Sequence, residues 1–268
     1  MNWQDVPEKV NPIVLKAGEL LGKLQKDPEM RVAQRKGDGS PITPTDLALS
    51  RFFEEKLAPL GIPVVSEEAL PETPPGPEVA HFLIDPLDGT KYYSRGEPEY
   101  AICVGLVDQG KPVYGAIYDP IQNRLFWALK GRGAFCDDQK IHHPGAPEKR
   151  RVYSSGFHKK PLKDRFISGL SLGDILEKGS ALKFCDIALG DVDLYLRFGN
   201  ISEWDTAGAQ ILLEEAGCAI LEARTLETLK YGKPNYLNKG VIACEKSLVE
   251  EVRQFITKLK NEFGEPNP

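Results

Sequence analysis

Near the start of the chain, apolar side chains fall at Val10, Ile13, Val14, Ala17, Leu20, Leu21 and Leu24. That three-to-four spacing predicts an amphipathic helix over residues 7–26. A second helix is expected to start at TPTD (43–46), with Thr43 as N-cap, Pro44 at the first helical position and Asp46 in the first turn. Beyond it the pattern changes to short runs rich in β-branched and aromatic residues: IPVVS (62–66), HFLID (81–85), YAICVGLV (100–107), PVYGAIYD (112–119) and RLFWAL (124–129). These read as strands. A polar Pro/Gly-containing stretch, DDQKIHHPGAPEKR (137–150), interrupts them. Strands and helices then alternate: RVYSS, a helix from about residue 180, DLYLRF, a helix over 203–216 ended by Gly217, GCAILEA, GVIAC and a last helix from 246. There is no internal repeat. The pattern predicts a layered α/β protein in two parts, an α+β domain over residues 1–147 and an α/β domain over 148–268.

Composition narrows the class. The 268 residues are 41% hydrophobic and 27% charged, ordinary values for a globular protein. No apolar run approaches the ~20 residues of a membrane span, and the N-terminus lacks the basic start and apolar stretch of a secretion signal. Five widely spaced cysteines, with no C-x-x-C pair, read as reduced core residues of a cytoplasmic protein. The net charge of −5 and the absence of a basic stripe argue against binding a nucleic-acid polymer. An anionic substrate would therefore have to be drawn by bound cations and local Lys/Arg.

Four stretches place acidic or hydroxyl groups at element ends: GDGSPITPTD (37–46), with Asp38 and Thr43; VVSEEAL (64–70), with Glu67 and Glu68; DPLDGT (85–90); and SEWDTAGAQILLEEAG (202–217), with Asp205 in the first helical turn behind Ser202 as N-cap. Each has an ordinary explanation. Asp-Pro and Asp-Gly make turns, Glu67-Glu68 suits a solvated strand end, Asp205 suits a capping box and Asp38 suits a loop. Together they suggest more, because two of the clusters follow directly on buried-looking strands, and α/β enzymes carry their chemistry at strand ends. Convergent carboxylates of this kind suit a hard cation, and free backbone N–H groups suit a phosphate.

These four stretches, in this order, resemble the inositol monophosphatase superfamily of Mg²⁺-dependent, Li⁺-sensitive phosphatases, whose signatures are D-P-x-D-G-T and W-D-x-A ahead of an E-A-G helix end. The resemblance spans roughly residues 10 to 245 and implies a layered α-β-α-β-α sandwich. It implies that Glu67, Asp85, Thr90 and the carbonyl of Leu87 hold a first metal and that Asp85, Asp88 and Asp205 hold a second. Glu67 would also face a third, weakly held ion, so two or three Mg²⁺ ions are expected. Gly89 and Thr90 would offer N–H groups to the phosphate. A water on the first metal would be the nucleophile, oriented by Thr90 paired with the aspartate of the first motif, which is taken as Asp38. Glu68 is expected behind the ligands.

The second half, GSALKFCDIALGDVDLYLRFG (179–199), is similar to the CysQ-type 3′(2′),5′-bisphosphate nucleotidase branch, a group tied to sulfur metabolism. The resemblance implies that Ser180, Lys183 and Arg197 bind a phosphorylated nucleotide, with His158, Asp205 and the Gly89–Thr90 turn also touching substrate, in a monomer or homodimer. The expected reaction is removal of the 3′-phosphate of adenosine 3′,5′-bisphosphate to give AMP. The alternatives are an inositol monophosphatase or a sugar-bisphosphate phosphatase. The haloacid dehalogenase phosphatases also carry D-G-T, but their two aspartates are separated by one residue, whereas Asp85 and Asp88 are separated by two. Two departures from the branch pattern stand out. Tyr93 and Pro98 replace a Phe and a Gly after D-G-T, and Pro44-Thr45 occupy positions where the branch has small residues.

Overall fold

Helix α1 (Val6–Leu24) and helix α2 (Pro44–Leu57) form where the periodicity places them, and α2 starts with the full capping box expected of Thr43 and Asp46. The computed structural model describes residues 3–145, 150–155, 169–170 and 172–263. Among them, seven strands make one sheet in chain order: β1 (Val64–Ser66), β2 (His81–Asp88), β3 (Ala101–Asp108), β4 (Lys111–Asp119), β5 (Arg124–Leu129), β6 (Gly133–Cys136) and β7 (Gln139–Ile141). β1 runs parallel to β2, and the rest is an antiparallel meander. The last two strands are an addition to the pattern read from the sequence. β7 lies inside the polar stretch that was read as a boundary, because its short edge strand needs no apolar alternation of its own.

Residues from 150 onward build a second sheet from β8 (Arg150–Ser155), β9 (Leu172–Leu176), β10 (Leu194–Arg197), β11 (Cys218–Glu222) and β12 (Val241–Glu245), in the order β9-β8-β10-β12-β11. Helix α3 (Thr90–Arg95) follows the D-G-T turn. Helix α4 (Leu182–Leu189) and helix α5 (Glu203–Glu215) lie between the sheets, and helix α6 (Val249–Phe263) covers the outer face of the second.

Three buried apolar layers follow. Val10, Val14, Leu21, Leu49 and Phe53 of α1 and α2 cover one face of the first sheet. α4 and α5 fill the space between the sheets. Val252, Ile256 and Leu259 of α6 seal the second sheet. The result is an α-β-α-β-α sandwich, as expected.

The central helix sits unusually close to the first sheet because small residues meet there. A Cβ on Gly105 of β3 would lie 2.6 Å from the Ala207 methyl, and one on Gly115 of β4 would lie 2.6 Å from the Gly208 Cα. That contact carries the N-terminus of α5, and Asp205 with it, to the end of β2.

Candidate active site

The segment LIDPLDGT owes its shape to a break in strand phase. On β2, Leu83 faces the inter-sheet layer, while Phe82 and Ile84 face α1 and α2. Strict alternation would put Leu87 back with Leu83, yet it lies in the layer of Phe82 and Ile84. The phase flips at a bulge: Asp85 pairs with Cys103 and Asp88 with Ala101, so three steps on β2 oppose two on β3. Pro86, which has no N–H to give the ladder, sits in that bulge. Asp85 and Asp88 therefore turn to the same side, toward α5. A bulge that re-aims side chains is common beside active sites.

Three elements meet there. Glu67 follows β1, with its N–H on the Ile84 carbonyl at 3.0 Å, which sets it beside Asp85. Asp205 is at the third position of α5, with Ser202 as N-cap and Ser202 N–H on Asp205 Oδ2 at 3.2 Å. The capping role read from the sequence is thus real, and it uses Oδ2. Carboxylate oxygens of Glu67, Asp85 and Asp205 lie within 4.8 Å of one another. Asp88 is close enough to act on Asp85 and Asp205 through its charge.

The electrostatics of the cluster are those of crowded, buried carboxyl groups. Asp85 is buried, and none of Asp85, Asp88 and Asp205 has an ion pair among the described residues. Burial pushes the carboxyl groups of all three above the usual range, and neighbouring carboxylates push Asp85 and Asp205 further. Lys183, Arg197 and the Ala181 N–H pull Asp88 back. Convergent oxygen donors are the donor set of a hard divalent ion, and Glu67, Asp85 and Asp205 fit one.

Thr90 is held for a task. Its hydroxyl donates to Asp46 Oδ1 at 2.8 Å and lies 3.0 Å from the Leu87 carbonyl. Asp46 is buried at the start of α2, and its Oδ2 takes the Thr43 N–H at 2.8 Å and the Thr43 hydroxyl. Burial raises the Asp46 pKa, against the hydrogen bonds from Thr43 and Thr90. Asp38, expected to pair with Thr90, does not. It is exposed and accepts from the Ser40 N–H at 2.9 Å and the Ser40 hydroxyl at 2.7 Å. The physical reason is a tight turn. The Gly39 N–H closes onto the Lys36 carbonyl, with Gly39 at φ +87°, and turns Asp38 outward. The aspartate on Thr90 is Asp46.

Lys36 is a second residue that the sequence reading passed over. Its ammonium bridges Glu67 at 2.7 Å and Glu68 at 2.6 Å. Burial alone would lower the Lys36 pKa, but the two carboxylates raise it above that of an ordinary lysine. Burial pushes Glu68 up to about 7 against the pull of Lys36. Only charge complementarity between the motif around Lys36 and the Glu67-Glu68 pair could have signalled this contact.

On the second half, Ser180 is buried with a left-handed φ of +54°. Lys183 Nζ lies 5.2 Å from the centre of the Tyr195 ring and donates to the Lys178 carbonyl at 3.2 Å. The Arg197 guanidinium donates to the Asn200 carbonyl at 2.7 Å. Lys183 and Arg197 both act on Asp88, so their positive charge borders the carboxylate cluster. His158 lies outside the described residues.

The two departures after D-G-T and in the first motif prove to be partners. The Tyr93 hydroxyl lies 2.8 Å from Thr45 Oγ1, buried between α2 and α3.

Comparison with known proteins identifies the family and the fold. The model of the inositol monophosphatase family matches residues 3–260. The chain is 32% identical over 243 residues to the 3′(2′),5′-bisphosphate nucleotidase CysQ of Salmonella typhimurium, covering 87% of this chain and 97% of the relative. The crystal structure of CysQ from Bacteroides thetaiotaomicron is similar at 26% identity with a TM-score of 0.76, covering 91% of this chain and 98% of that one. Inositol monophosphatase-II from Staphylococcus aureus superimposes with a TM-score of 0.80 at 19% identity, over 96% of this chain and 95% of that one, a likeness of fold alone.

Proposed function

The chain belongs to the inositol monophosphatase family, and from that premise we propose that it is a Mg²⁺-dependent nucleotidase that removes the 3′-phosphate of adenosine 3′,5′-bisphosphate to give AMP. It is a phosphoric monoester hydrolase. The narrower substrate assignment rests on one observation above others. Lys183 and Arg197 both act on Asp88 through their charge, so two positive groups border the carboxylate cluster and can serve a second phosphate held away from the metals. The nucleotidases that this chain is similar to by sequence support the same reading.

In this reading Glu67, Asp85, Thr90 and the Leu87 carbonyl would hold one Mg²⁺, and Asp85, Asp88 and Asp205 another, with Glu67 also facing a third. When bound, the ions supply Lewis acidity toward the phosphate and make water a competent nucleophile near neutral pH. The chain's own residues supply alignment. Thr90 Oγ1 accepts a hydrogen bond from the attacking water and passes the proton toward Asp46 Oδ1, on which its own hydroxyl already rests. The N–H groups of Gly89 and Thr90 at the start of α3 receive the phosphate oxygens. Ser180, Lys183 and Arg197, with His158, hold the nucleotide so that only its 3′-phosphate reaches the carboxylates.

The test is phosphate release from adenosine 3′,5′-bisphosphate and from inositol 1-phosphate side by side, with Mg²⁺ and with EDTA. EDTA-sensitive preference for the nucleotide is the expected outcome. Preference for inositol 1-phosphate would keep the chemistry and remove the substrate assignment.

A further inference from the structure

The segment that carries Ser180 and Lys183 is held at two successive points, one on the first sheet and one on the loop between α3 and β3. The Ala181 N–H donates to Asp88 Oδ2. Two residues earlier, the Gly179 N–H donates to Glu99 Oε2 at 2.5 Å. Between these anchors Ser180 adopts its left-handed φ, a conformation that a non-glycine side chain disfavours. Glu99 is the anchor outside the carboxylate cluster. It lies in the loop between α3 and β3, and that loop rests on the D-G-T turn. A Cβ on Gly89 would meet the Glu99 carbonyl and would lie 3.1 Å from the Tyr100 Cα. Glu99 thus touches the phosphate-side turn with its backbone and the recognition segment with its carboxylate.

Gly179 is clamped from a second side. A Cβ there would lie 2.8 Å from Tyr92 Cδ2 and 2.9 Å from Glu99 Oε2. Tyr92 belongs to α3, two residues after Thr90, and Glu99 to the loop that follows α3, so the ring and the carboxylate meet the segment from adjoining parts of the chain. Downstream, Lys183 Nζ donates to the Lys178 carbonyl, and Lys178 Nζ is bound to Asp186 at 2.6 Å. The recognition segment is therefore braced internally by lysines and attached by two carboxylates, Asp88 at the end of β2 and Glu99 in the loop after α3.

Resting on the nucleotidase reading above, we propose that Glu99 is a specificity-positioning residue: its carboxylate fixes the Gly179 amide so that Ser180 and Lys183 face the phosphate site at the spacing a bisphosphate requires. It does not act on the reacting atoms. A carboxylate suits the role because a charged acceptor on a backbone N–H makes a hydrogen bond about twice as strong as a neutral one.

Two measurements test this on the full chain. The first compares steady-state kinetics of wild type, Glu99→Ala and Glu99→Gln on adenosine 3′,5′-bisphosphate and on p-nitrophenyl phosphate, which has no second phosphate. Glu99→Ala is expected to raise KM for the bisphosphate and to lower its kcat/KM relative to that for p-nitrophenyl phosphate about tenfold. Glu99→Gln, which keeps a neutral acceptor, is expected to restore most of that ratio. Equal losses on both substrates, or no rescue by glutamine, would overturn the proposal. The second is amide hydrogen exchange across residues 176–183, which needs no substrate. Faster exchange at Gly179 in Glu99→Ala is expected, and unchanged exchange would sink the anchoring itself. If wild type shows no preference for the bisphosphate, the substrate reading fails, while the exchange measurement still decides whether Glu99 holds the segment.

Discussion

Asp46 and Asp38 lie eight residues apart in one motif, and the difference between them is orientation. Asp38 sits in a Gly-rich turn and satisfies itself on Ser40. Asp46 sits at the third position of a helix, where a capping aspartate is buried against its own N-cap, and its second oxygen reaches Thr90. Asp46→Asn keeps the size of the side chain but removes the acceptor charge that aligns Thr90. Its kcat is expected to fall ~10²-fold or more, the scale of a lost proton acceptor, with little change in Mg²⁺ affinity by calorimetry. Asp38→Asn is expected to stay within about twofold of wild type, as exposed polar substitutions away from special features do. The opposite ranking in kcat would restore Asp38 as the partner of Thr90.

At the scale of elements, the site depends on contacts that bring helix ends to strand ends. α5 approaches β3 and β4 only because Gly105, Gly115 and Gly208 leave room. A Cβ on Gly208 would lie 2.5 Å from the Val104 carbonyl. Gly208→Ala is expected to lower stability by about 1–3 kcal/mol, the cost of overpacking, and to weaken Mg²⁺ binding because Asp205 moves with the helix. Thermal unfolding and calorimetric titration read the two effects, and unaltered Mg²⁺ affinity in a destabilised protein would separate the helix contact from the site. The Thr45–Tyr93 pair is a second such contact, joining α2 to α3 and so Asp46 to Thr90. Each residue departs from the branch pattern, yet the two satisfy each other. A double-mutant cycle of Thr45→Ala and Tyr93→Phe is expected to give a coupling of about 1 kcal/mol, the net worth of one buried hydrogen bond. Additive effects in urea unfolding would mean that the hydroxyls are independent.

At the scale of the molecule, the carboxylate cluster is a cost of the fold that a metal removes. Asp85, Asp88 and Asp205 are raised by burial, so the metal-free folded state holds protons that the unfolded chain has released. Stability of the metal-free protein therefore falls as pH rises from the unfolded carboxylate range, ~4, through the raised values. Metal binding needs the groups deprotonated and so strengthens over the same rise. The increase in Tm on adding Mg²⁺ is expected to be larger at pH 8 than at pH 6. At a hundredfold excess over Kd it corresponds to about 2.7 kcal/mol, a shift of several degrees for a chain of this size. An equal shift at both pH values would mean that the ion binds elsewhere. Among the described residues no helix is long and apolar enough to cross a membrane.

The sequence by itself determined the elements that rest on local physics. The periodicity of α1, the capping boxes of α2 and α5, the strands from 64 to 129 and the carboxylates placed at their ends were all legible, because spacing and end chemistry act within a few residues. So was the family, since D-P-L-D-G-T and W-D-T-A each pack several constraints into a short span. Only the tertiary structure decided which aspartate meets Thr90, that Lys36 bridges Glu67 and Glu68, that Tyr93 pairs with Thr45 and that Glu99 holds Gly179. Each of these joins residues 31 to 80 positions apart, and no local pattern carries the direction in which a turn or a bulge aims a side chain.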